Sequence, residues 1–173
     1  MGKKKLEKRL TYLFSGELSA LIMFIIVSFL ANRTFPNLQL YSLYSFWISF
    51  FLLEILLLQG TIYWYSKLKR LRIENTSMTP VWIVRLLKRL KIINIILIFV
   101  SIVMFVIDYV QFHSSLPIKG LITVAFIYIF AVLEFINYFY IQLSYDNISD
   151  FKYLLKTKKL KHSCIRKDFQ RIL

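Results

Sequence analysis

The chain holds a single cysteine, Cys164, and two histidines, His113 and His162, so neither a disulfide framework nor a zinc site can be assembled from it. Three prolines and four glycines leave long stretches of helix-compatible sequence without a breaker. No glycine-rich phosphate loop, His-Glu-x-x-His pattern, nucleophile elbow or Cys–His pairing occurs, and Ser, Asp and His fall at no spacing that marks a triad. Enzymatic chemistry, a bound metal and a cofactor are therefore not expected. Acidic residues are also scarce, nine against 23 Lys and Arg, which gives a formal net charge of +14.

What the chain has in excess is apolar surface. Apolar residues make up 58% of 173 positions, more than a soluble domain of this length can bury, and the charges are segregated away from the apolar runs. Four segments reach the roughly 20 residues needed to cross a bilayer as a helix. They are residues 11–31, 42–65, 92–112 and 118–143. The first pair is joined by residues 32–37 and the second by residues 113–117, each a short polar turn containing a proline. The basic start followed by an apolar run resembles a secretory signal. However, Phe29 occupies a position where cleavage needs a small residue, so the first span is expected to be retained.

Basic residues orient these spans. Lys3, Lys4, Lys5, Lys8 and Arg9 precede the first, eight Lys and Arg separate the second from the third, and eight more follow the fourth. Only Arg33 and Lys119 fall in the two turns, so both termini are expected in the cytoplasm. The basic excess is then a topology signal and an attraction to anionic headgroups rather than a nucleic-acid footprint. Residues 78–91 read as a basic amphipathic segment lying on the membrane before the third span, and residues 144–173 as a basic cytoplasmic tail. Arg85, Lys88, Arg89, Lys91, Lys152, Lys156, Lys158 and Lys159 are the expected contacts to lipid headgroups or to a partner. The abundance of Lys, Ile, Phe, Tyr and Asn points to an AT-rich bacterial genome and so to the plasma membrane.

Polar residues inside the spans need partners, because a charge there costs roughly 2.5–3.5 kcal/mol on insertion scales. Glu54 in the second span and Glu134 in the fourth are the main cases. Thr61 extends the Glu54 face, and Asn137 flanks Glu134. Asn94, Ser101 and Asp108 recur every seven residues along one stripe of the third span. Glu17 and Asp108 sit closer to span ends, where a side chain reaches the headgroup region. Gly16 and Ala20 make a small-xxx-small pair that permits close helix contact. An offset of 80 positions aligns Lys8-Arg9-Leu10 with Lys88-Arg89-Leu90 and Glu54 with Glu134. The chain can thus be read as two tandem hairpins related by a pseudo-twofold axis along the membrane normal, with the two glutamates facing each other.

The expectation is an all-α integral membrane protein of four helices. It is expected to act without catalysis, by assembly with copies of itself or as an accessory, regulatory or self-protection subunit of a larger complex. The alternative is an ion or proton channel or carrier in which Glu54 and Glu134 share a proton or a cation.

Overall fold

The computed structural model describes residues 2–112, 117–143 and 160–172. Apolar sequence without breakers becomes four long helices: α1 Lys3–Thr34, α2 Tyr44–Ile73, α3 Val81–Gln111 and α4 Ile118–Phe139. A short α5, Cys164–Arg171, follows. Each of the four is long and apolar enough to cross a membrane, and the fold is a helical bundle with no strand among the described residues. At 30 to 32 residues, helices α1 to α3 measure about 45–48 Å and outrun a hydrocarbon core of about 30 Å. The surplus lies at the end carrying the Lys and Arg clusters, here called the basic end. The opposite end holds the turn between α1 and α2.

Helix α2 is the axis of the bundle. Its buried residues fall on nearly every side, from Ser45, Phe46 and Ser49 to Ser66, Leu68 and Leu71, as expected of a helix surrounded by others. Helices α1, α3 and α4 all pack on it, whereas α3 and α4 touch each other much less. Helix α1 buries only Leu10 and turns most of its apolar surface outward. Three apolar clusters fill the interior, the smallest being Leu10, Leu68 and Leu71 toward the basic end. One joins Leu52, Leu53, Leu56 and Leu57 to Leu87, Ala131, Phe135 and Phe139. Another closes the turn end with Leu40, Leu43, Phe46 and Val124.

That turn is built from two 3-10 segments, Pro36–Leu38 and Leu40–Ser42, joined at Gln39 in the left-handed region with φ 47°. The start of α4 packs directly beneath it. A Cβ on Gly120 would collide with the Leu38 carbonyl, so only glycine permits this approach.

Residues 78–91, where the amphipathic pattern led one to expect a separate surface segment, run into the third long helix without a break. Val81–Gln111 is one unbroken helix, and Ile83, Val84 and Leu87 are buried against the bundle. The apolar face that looked available to lipid is the start of a seam on α2. Positions 87, 94, 101 and 108 continue that seam at seven-residue intervals, all of them buried. Arg85, Lys88 and Arg89 stay exposed. Lys91 is half-buried, with its ammonium 4.2 Å from the centre of the Tyr140 ring.

Of the tail, Lys152, Lys156, Lys158 and Lys159 lie outside the described residues, as does the rest of 144–159. The part that follows returns to the bundle. Gln142 donates its backbone N–H to the Lys161 carbonyl at 2.8 Å, and Ile141 forms an antiparallel bridge with His162. Ser163 then caps α5 by accepting the Arg166 N–H at 3.1 Å. Ile165 and Asp168 are the buried residues of this helix, and Phe169 stacks on Phe139.

Asp168 fastens α5 to the basic ends of α2 and α3. It accepts hydrogen bonds from the Tyr63 hydroxyl at 2.8 Å and the Thr79 hydroxyl at 2.6 Å, and it pairs with Lys67 at 3.2 Å and Arg171 at 3.5 Å. Arg171 also donates to the Thr79 carbonyl at 2.8 Å. Burial works to raise the Asp168 carboxyl, but the Thr79 hydroxyl, the Lys67 charge and the Tyr63 hydroxyl outweigh it and hold the group below its usual range.

Candidate functional site

The stripe on α3 faces α2, and its polar groups are spent there. Asn94 and Gln59 exchange amide hydrogen bonds at 3.0 and 3.1 Å, fully enclosed. Asp108 accepts the backbone N–H groups of Tyr44 and Ser45 at 3.0 and 2.8 Å. These are orphan donors of the first turn of α2, whose own N-cap residue, Leu43, has no side chain to offer them. A carboxylate from one helix therefore caps another, aided by the positive end of the α2 dipole. Ser101 and Thr61 return their hydroxyls to their own helices, to the Leu97 and Leu57 carbonyls at 2.9 Å each. Gln59 is the member of this set that the sequence did not single out.

Glu54 and Glu134 are not brought together as the 80-residue offset implied. Glu54 is half-buried on α2, and neither of its shielded carboxyl oxygens has a hydrogen-bond partner among the described residues. Glu134 accepts a hydrogen bond from Asn137 at 3.2 Å, while the Asn137 carbonyl oxygen takes the Leu143 N–H at 2.9 Å beyond the end of α4. The acid within electrostatic reach of Glu134 is Glu17 on α1. Helices α1 and α4 both pack on α2, and this shared neighbour is what brings the two carboxyls to one place.

The resulting site is a cleft between α1 and α4. Toward the basic end it is a cavity of about 210 Å³ lined by Arg9, Glu17, Trp64, Glu134, Asn137 and Tyr138, with Cys164 and Ile165 of α5 at its lip. Sideways it continues as a groove of about 630 Å³ along Gly16, Ala20, Phe24, Leu57 and Phe130. The rings of Phe24 and Phe130, 5.8 Å apart, bridge the two helices. Gly60 of α2 forms the floor. A Cβ there would run into the Tyr138 hydroxyl and come within 3.0 Å of the Glu17 carboxyl carbon. By contrast, a Cβ on Gly16 would meet nothing within 4 Å among the described residues, although Ala20 of the same small pair packs against the interior cluster.

Tyr138 is 5% exposed, and its hydroxyl faces the Glu17 carboxyl without reaching hydrogen-bond geometry. Sequence reasoning set Glu17 aside as a span-end residue and passed over Gly60 and Tyr138. The available signal was depth, since Glu17 and Glu134 both lie in the basic-end halves of their helices. Asp168, Tyr63 and Thr79 were also missed, although Asp168 is the one acid among residues 160–172. No family model matches the chain, and no curated protein or solved structure is significantly similar to it.

Proposed function

We propose that this chain is a non-enzymatic multi-pass protein of the bacterial plasma membrane, with both termini in the cytoplasm. It acts by lateral assembly, with copies of itself or as an accessory, regulatory or self-protection subunit of a larger complex. One observation carries this reading. Along the α2–α3 seam the Asn94 and Gln59 amides close on each other and Asp108 closes on the start of α2, whereas Glu17, Glu134 and Tyr138 share a cleft that opens sideways between α1 and α4. Polar groups presented to the bilayer side of a bundle call for something that arrives in the membrane plane. Exposed Arg85, Lys88 and Arg89 support contact with anionic headgroups at the cytoplasmic face. A tandem pair of symmetric hairpins has less support, since α2 holds three long neighbours and its would-be counterpart α4 does not.

Gentle extraction followed by native mass measurement tests the assembly. A defined oligomer or a co-purifying polypeptide is expected, and a lone monomer in native-like lipid would count against it. Cys164, exposed and the single thiol, tests the orientation: an impermeant maleimide should label it in inverted vesicles and not in intact cells. The transport alternative keeps one observation in its favour, the partnerless carboxyl of Glu54. Against it, Leu40, Leu43, Phe46 and Val124 fill the turn end of a single copy. Proteoliposomes should therefore show no ion or proton flux above empty vesicles, and a flux abolished by Glu54→Gln with Glu134→Gln would restore it.

A further inference from the structure

The cavity toward the basic end and the lateral groove share Leu13, Glu17 and Glu134, so the two carboxyls sit at the junction of a polar space and an apolar one. Helix packing alone does not account for this. The seam on the other side of α2 illustrates what packing does with strong intramembrane polar groups: the Asn94 and Gln59 amides and the Asp108 carboxyl are satisfied there, and the weaker Ser45 and Ser49 hydroxyls of α2 are left without a partner among the described residues. In the cleft, the Tyr138 hydroxyl is enclosed and aimed at the acids, yet no group among the described residues meets it in hydrogen-bond geometry. Gly60 keeps open the notch in which that hydroxyl and the Glu17 carboxyl stand side by side.

Two acids in a low-dielectric cleft call for a positive charge between them; Arg9 lines the same cavity, and no ion pair joins it to Glu17 or Glu134 among the described residues. The depth of the site and its aromatic flank restrict how that charge can arrive, because a strongly hydrated ion has no apolar surface to place against Phe24 and Phe130. We infer that the junction binds a protonated primary amine carried on an apolar body, with the ammonium between Glu17 and Glu134 and the hydrocarbon part along the groove. A primary ammonium presents three N–H donors. The two carboxyls and the Tyr138 oxygen supply three acceptors, whereas a quaternary ammonium would leave all of them unmet. The same chemistry comes from two sources, the headgroup of phosphatidylethanolamine in the surrounding bilayer or a free amphiphilic amine. This inference rests on the reading above only in taking the groove to face lipid.

The test uses the full chain in nanodiscs of equimolar phosphatidylethanolamine, phosphatidylcholine and phosphatidylglycerol, released for native mass spectrometry. Phosphatidylethanolamine should be retained over the other two by about tenfold or more, the preference that one charge-assisted hydrogen bond supplies. The isosteric Glu17→Gln, alone and with Glu134→Gln, should remove the preference, and Gly60→Ala should reduce it. Glu54→Gln, a carboxyl of the same bundle outside the cleft, should leave it unchanged.

A second arm follows Trp64 fluorescence in a Trp47→Phe, Trp82→Phe background during titration with dodecylamine, dodecyltrimethylammonium or dodecanol. A response to dodecylamine alone supports the amine site. Joined to selective retention of phosphatidylethanolamine it assigns the site to the lipid, and without that retention to free amphiphiles. Equal retention of the three lipids together with equal responses to dodecylamine and dodecanol would overturn the inference. So would a stoichiometric polypeptide from native membranes that crosslinks to the groove. Selective amine retention by a lone monomer would instead sink the assembly reading and leave this one standing.

Discussion

Two sides of α2 treat polar residues in opposite ways. Toward α3, an amide pair and a helix cap close every strong donor and acceptor of the stripe in short hydrogen bonds. Toward α1 and α4, two carboxyls and a phenol share a space in which, among the described residues, Asn137 donates to Glu134 and the Tyr138 hydroxyl has no hydrogen-bond partner. The same bilayer surrounds both, so the penalty on an unsatisfied group is comparable. A seam is what helix association requires of polar residues, and a cleft that keeps them open holds capacity for something else.

The contrast can be sharpened by substitution, and the largest effect is expected at the lip of the cleft. Asp168→Ala leaves Lys67 without its partner in a largely enclosed site, a class of change that costs about 3–5 kcal/mol when the pair is buried. Hydrogen exchange should then lose protection over Cys164–Arg171 while the α2–α3 seam keeps its own. The same contact gives a pH dependence with a definite sign. The Asp168 carboxyl is held below its ordinary value near 3.9, so its contribution is complete above that value and is lost as pH falls through the lower, folded one. Docking of α5 should therefore be level from neutral pH down to about pH 4 and weaken only below it. Loss of protection near pH 6 would rule out this account of the helix.

Asp108→Ala comes next, removing two charge-assisted hydrogen bonds from the start of α2, each worth about 1.5–3 kcal/mol. Asp108→Asn should recover part of the loss, since one carbonyl oxygen remains as an acceptor. Reversible unfolding in mixed detergent would measure both. Gly60→Ala should cost about 1–3 kcal/mol through overpacking against Tyr138, whereas Gly16→Ala, with open space around it, should stay within about 0.5 kcal/mol. Equal effects at the two glycines would erase the distinction between floor and open wall.

A small coupling is expected for the amide pair, because intramembrane hydrogen bonds between helices average about 0.6 kcal/mol. Asn94→Leu alone should cost more than that by stranding Gln59, and joining it to Gln59→Leu should return part of the loss. A double-mutant cycle reads the coupling directly. Strict additivity would mean that the pair does not act as a unit.

Much of the fold was legible because the capacity to cross a bilayer is written in hydropathy alone, which marked four helices; the expected turn at 113–117 lies almost wholly outside the described residues. The seven-residue spacing of Asn94, Ser101 and Asp108 likewise marked a single face of α3, and that face is buried. Their partners were not legible. Gln59 is one polar residue on a helix buried almost all round, so no periodicity marks which side of α2 meets α3. The acid pair failed for a related reason. An internal offset compares Glu54 with Glu134 by position along the chain, whereas proximity in a bundle depends on which helices share a neighbour. Tyr138 and Gly60 matter only as a pair, one filling what the other leaves empty, and a linear pattern does not register such complementarity.

The cap on α2 bears on how the protein is made. Its acceptors sit on a residue translated 63 and 64 positions after the amides they serve, so the leading turn of α2 emerges from the ribosome with no internal partner for those groups. Water at the bilayer surface is the available substitute until the third crossing is threaded. That tethers the beginning of α2 to the interface and delays its final seating. The first hairpin and the third helix should therefore settle together during biogenesis, as one cooperative step rather than in succession.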